Sequence, residues 1–96
     1  LLVSAFSAWE VAMLVMKNRL RLSIPVADWV AGSRRLPFVH FVPVDAEIAR
    51  RSVELPPPLH PDPADRIIVA TALATGSTLV TRDARLQTYP EVETVW

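Results

Sequence analysis

The chain has 96 residues, 51% of them apolar, no cysteine, and basic and acidic side chains that cancel to zero net charge. That length accommodates one small domain with a real core, whereas the composition excludes disulfides and thiolate metal sites and argues against nucleic-acid binding by bulk charge alone, leaving a local basic rim open. No apolar run approaches a membrane span, and the opening Leu1-Leu2-Val3 is too short and lacks the charged start of a signal peptide.

Residues 1–3 read as the end of a strand. The chain begins with Leu rather than Met, so its beginning is expected to be missing. Ser7-Ala8-Trp9-Glu10 fits a capping box, with serine at the N-cap and glutamate three residues on. The helix it starts is predicted to run to about Lys17, with Val11, Leu14 and Val15 at helical spacing. A second helix is predicted over 26–35 and a β-rich strand over 38–44. Asp45 is placed to cap a helix running to about Val53. Pro56, Pro57, Pro58, Pro61 and Pro63 then crowd one stretch, which is neither helix nor central strand but a stiff extended loop. Asp62 followed by Pro63 is a strong helix start, and Gly76 is the expected stop. A short buried strand over 78–82, a short helix over 83–88 and a last strand over 92–96 complete the chain. Alternating strands and helices argue for a layered α/β domain with a parallel sheet.

Three acids fall at related places. Glu10 and Asp65 are expected in the first turns of their helices, and Asp83 directly follows a strand. The helix that starts at Pro63 spans roughly 20 Å and the strand after it roughly 16 Å. The two must run antiparallel, which returns Asp83 to the edge where Asp65 stands. In parallel sheets that carboxyl edge is where ligands bind, and Glu10 reaches it if residues 1–3 form a parallel strand. Gathered carboxylates repel unless a cation neutralises them. Mg²⁺ suits them, because it takes oxygen ligands, keeps several waters and bridges to phosphates. Each acid also has a plain structural explanation as a partner of its helix dipole.

Ser7-Ala8-Trp9-Glu10 within 3–14, His60-Pro61-Asp62-Pro63-Ala64-Asp65-Arg66 within 60–72 and Thr81-Arg82-Asp83 within 79–86 resemble, in order, the second, third and fourth acidic segments of VapC-type PIN domains. The likeness covers essentially the whole of 1–96. It implies a PIN-like three-layer α/β/α fold with a parallel sheet. It also implies a Mg²⁺-dependent ribonuclease, with Mn²⁺ as the alternative metal, acting as the cytoplasmic toxin of a toxin–antitoxin pair. Its partners would be RNA, a VapB-type antitoxin and a second copy in a homodimer. Glu10, Asp65 and Asp83 match the family's metal-holding, catalytic acids. The family opens with a strand bearing an aspartate, in a pattern like Leu-Asp-Thr-His, and nothing here matches it. The sheet is therefore expected to lack its first, central strand and the site one ligand. The other reading is a truncated or degenerate PIN module that binds a partner such as an antitoxin without catalysis.

Arg66 and Arg82 adjoin the acids and are read as phosphate contacts that draw RNA in, or as solvated charges. Asp62 reads as a helix cap rather than a ligand. His60 is either a substrate-facing group or, with Asp62 and Asp65, a weak metal trio, since magnesium does not favour imidazole. His40 reads as structural or exposed. Thr81 either orients Asp83 or a water, or merely belongs to its strand. Trp9 and Trp29 read as core or interface anchors rather than base-stacking platforms, and Arg34, Arg35, Arg50 and Arg51 as solvated helix charges.

Overall fold

A buried serine ends the first strand and starts the first helix at once. In the computed structural model, which describes residues 1–96, β1 covers Leu2–Ser4 and α1 covers Ala5–Met16. Ser4 Oγ accepts the Phe6 N–H at 3.2 Å and caps α1. The predicted cap at Ser7 is thus corrected to Ser4. No linker separates strand from helix, so Ser7 already lies inside the helical ladder and the orphan N–H groups are served three residues earlier. Glu10 accordingly sits beyond the first turn of α1, which holds no acid.

Helix α2, Val26–Arg34, follows Pro25. Strand β2 is only His40–Val42. The predicted strand over 38–44 is shortened because Val39 N–H donates to Leu36 O at 3.2 Å, closing a turn, and Pro43 brings no donor at the other end. Strands β1 and β2 pair in parallel, with Leu2 opposite His40, Val3 opposite Phe41 and Ser4 opposite Val42. Together these elements make one compact unit over 1–43.

A second unit covers 44–96. Asp45 Oδ1 accepts the Ile48 N–H at 2.8 Å and starts α3, Ala46–Val53. Helix α4, Pro63–Thr75, begins with proline in its first turn, where a missing N–H costs nothing, and ends at Gly76. Gly76 has φ +63°, the left-handed conformation that glycine adopts without a Cβ clash. Strand β3, Leu79–Val80, helix α5, Ala84–Gln87, and strand β4, Thr94–Val95, complete the unit. Strands β3 and β4 pair in parallel, Leu79 opposite Thr94 and Val80 opposite Val95. They are shorter than the predicted 78–82 and 92–96. The predicted α/β class with parallel strands holds, and the strands close as two separate pairs.

Val69, Ala72, Leu86, Tyr89 and Val92 form the core of the second unit, with Leu55, Leu59, Leu73 and Leu79 packed against it. This accounts for the proline-rich loop. Leu55 and Leu59 face the core while Pro56, Pro57 and Pro58 between them stay exposed. Tyr89 is 2% exposed, and its hydroxyl donates to Pro56 O at 2.7 Å. One tyrosine therefore ties the loop to the core through both its ring and its oxygen.

Candidate active site

The start of α4 and the end of β3 supply the site. Asp62 Oδ1 accepts the N–H groups of Ala64, at 2.9 Å, and Asp65, at 3.4 Å. Asp62 is thus the helix cap expected from the sequence, and its carboxylate serves backbone rather than a ligand. Asp65 lies in the first turn, with its side chain 22% exposed. Its Oδ2 meets His60 Nε2 at 2.7 Å. His60 is held where the stiff loop enters the helix, so the loop fixes the imidazole and the imidazole fixes the carboxylate.

Asp83 is set by the turn that follows β3. Thr81 Oγ1 accepts the Asp83 N–H at 3.1 Å, so the threonine orients the acid, one of the roles open to it. Asp83 Oδ1 accepts the Arg85 N–H at 2.9 Å and caps α5. Arg85 Nε donates to the same oxygen at 3.2 Å, and Nη2 donates to Oδ2 at 2.9 Å. These bonds from Arg85 hold the Asp83 carboxyl below the usual aspartate range, the side-chain bonds first and the backbone bond second.

The same Nη2 lies 3.8 Å from Asp65 Oδ2. Asp65 and Asp83 do therefore come together, as the sequence led one to expect, although β3 is shorter than the strand that expectation used, and the two carboxylates gather around one positive charge. Arg85 was missed in the sequence. Its signal was there in retrospect: a guanidinium two residues after a capping aspartate reaches back to it. Within 44–96, His60, Asp65 and Asp83 do not form a three-ligand group. Glu10 belongs to α1 of the first unit and is half-buried.

Arg66 and Arg82 are engaged differently from one another. Arg66 Nε donates to Ser52 O at 2.9 Å, Nη2 to Val53 O at 3.2 Å, and Nη1 to Leu59 O and His60 O at 3.3 and 3.4 Å. All three nitrogens thus face carbonyls at the end of α3 and the end of the loop. Arg66 is a strut in this structure, whereas the sequence had offered it as a phosphate contact or a solvated charge. The Arg82 guanidinium lies 5.6 Å from the ring centroid of Trp96, which is 77% exposed, so a cation and an aromatic face stand together at the surface. Arg50 pairs with Glu47 and Glu54, each at 2.6 Å, on a solvated face as read. Trp9 stacks on Phe6 with centroids 4.9 Å apart and is 52% exposed, which argues against the core reading.

The PIN domain profile matches residues 1–92 of the chain. The protein is 40% identical to ribonuclease VapC22 of Mycobacterium tuberculosis over 98 aligned positions, which span 100% of this chain and 74% of that relative. No solved structure matches it.

Proposed function

The chain belongs to the PIN-domain family as a VapC-type member, and we propose on that premise that it is a ribonuclease toxin whose metal is held by Asp65 and Asp83. The observation that carries the reading is the gathering of both carboxylates at one Arg85 nitrogen, at 3.8 and 2.9 Å. A pair of oxygen donors already disposed around a cation fits a hard divalent ion. Magnesium in particular is commonly bound by one or two carboxylates, with waters and substrate phosphates filling its remaining positions. Mn²⁺ accepts the same donors.

When bound, the metal supplies a Lewis acid that lowers the pKa of water and stabilises charge developing on a phosphodiester. The chain's own residues prepare for this. His60 fixes the rotamer of Asp65, and Thr81 with the α5 backbone fixes Asp83. Arg66 holds the loop end that presents His60. Arg82, exposed beside Asp83, is the residue we assign to the RNA backbone. For Glu10, the assignment as a family acid rests on its motif match alone. The partners we assign are a VapB-type antitoxin and a second copy of the chain. Helix α1 buries none of its residues, and Trp9 and Met16 on it are 52% and 68% exposed, which offers an apolar surface for association. No helix is long and apolar enough to cross a membrane. The cytoplasm, where RNA is available, is the proposed place of action.

The test is cleavage of single-stranded RNA by the protein expressed from its complete reading frame. Chelation is expected to stop cleavage, and added Mg²⁺ or Mn²⁺ to restore it. Cleavage that persists in excess chelator overturns the metal assignment. Absence of cleavage under every metal condition, with antitoxin binding intact, favours the non-catalytic module.

A further inference from the structure

Asp83 devotes both oxygens to Arg85: Oδ1 to the backbone N–H and Nε, at 2.9 and 3.2 Å, and Oδ2 to Nη2 at 2.9 Å. Asp65 Oδ2 lies 3.8 Å from that same Nη2. Two carboxylates this close to one point repel each other unless a positive charge lies between them. The guanidinium is that charge in this structure. Its side chain is 62% exposed, so it has room to leave. A divalent cation entering between the acids would meet a like charge at contact distance, where repulsion is strongest. The two cations therefore exclude each other.

We propose that Arg85 is the resident counter-ion of the site: it holds Asp65 and Asp83 as a pair in the metal-free protein and is displaced when a divalent cation binds. The proposal rests on the reading of the two acids as metal ligands. Arg85 is then a positioning residue that sets how much metal the protein needs. Because the pair is exposed, the competition is modest and weakens with salt.

The experiment is calorimetric titration of Mg²⁺ alone into the protein from its complete reading frame. Arg85→Met keeps the chain length and removes the charge. It is expected to bind Mg²⁺ about two- to fivefold more tightly at low ionic strength, with the gap closing as salt rises. Arg85→Lys, which keeps the charge but loses the fork, should lie between the two. Arg82→Met removes an equal charge whose guanidinium lies over Trp96 and is ion-paired to neither acid, and should change the affinity less. Unchanged or weaker binding by Arg85→Met overturns the proposal, as does equal tightening by Arg82→Met. Asp83→Asn, run in parallel, separates the two layers. If it binds Mg²⁺ as the wild type does, the metal-ligand reading fails and the proposal with it. If it binds more weakly, the Arg85 variants alone decide.

Discussion

Replacing Arg66 with Met distinguishes a strut from a phosphate contact. The guanidinium serves Ser52 O and Val53 O, two last-turn carbonyls of α3 that the helix itself leaves unpaired, together with Leu59 O and His60 O at the loop end. Its charge also sits at the negative end of the α3 dipole. Two of the four bonds are long, at 3.3 and 3.4 Å, so most of the effect comes from the Ser52 and Val53 contacts. A hydrogen bond from a charged donor contributes about 1.5–3 kcal/mol net when well made. Partial exposure and solvent replacement reduce this, and a total loss of about 2–4 kcal/mol is expected for Arg66→Met. Urea unfolding followed by tryptophan fluorescence measures it. Met preserves most of the aliphatic stem, so the loss reports the polar head rather than packing. RNA binding by the folded fraction should keep the salt dependence of the wild type. The reasoning is refuted if stability changes by less than about 0.5 kcal/mol while the salt slope of RNA binding falls by about one.

Tyr89→Phe removes the hydroxyl bond to Pro56 O and should cost about 1 kcal/mol in the same unfolding assay. Burial raises the Tyr89 pKa above the usual tyrosine value. Its contribution is therefore complete below about pH 10 and is lost as pH rises through the folded value, a loss that should be absent in Tyr89→Phe. Asp83 has the opposite sign. Its carboxyl is depressed by Arg85, so its contribution is present above the usual aspartate pKa and fades as pH falls through the lowered one. An NMR titration of the Asp83 carboxyl should move upward in Arg85→Met, and an unmoved midpoint would contradict the assigned cause. Gly76→Ala meets no atom within 4 Å, so its whole cost is the left-handed backbone, about 1–2 kcal/mol by thermal unfolding.

The features legible in the sequence were those fixed by local chemistry. Asp45, Asp62 with Pro63, and Gly76 bound their helices as read, because a cap or a left-handed stop needs only near neighbours. The meeting of Asp65 and Asp83 was legible because a chain that leaves the end of a helix at Gly76 must run back toward its start, although the strand that returns is shorter than predicted. Ser7 misled because the capping-box pattern is satisfied by spacing alone, while the true start was decided by where β1 stops pairing. Arg66 was ambiguous for a different reason. Its two shorter contacts go to carbonyls 14 and 13 residues back, at the end of another helix, and no local pattern marks them. Arg85 escaped notice because its neighbours along the chain, Asp83 apart, say nothing of Asp65.

The central claim is that Asp65 and Asp83 together hold the metal of a ribonuclease. Its most direct measurement is Mg²⁺-dependent RNA cleavage by folded Asp65→Asn, Asp83→Asn and the double variant. Loss of metal-derived charge stabilisation should slow each single variant by about a hundredfold or more. Residues that act through one ion are not additive, so the double variant should be little slower than the slower single one. Cleavage at the wild-type rate by either folded single variant would contradict the claim.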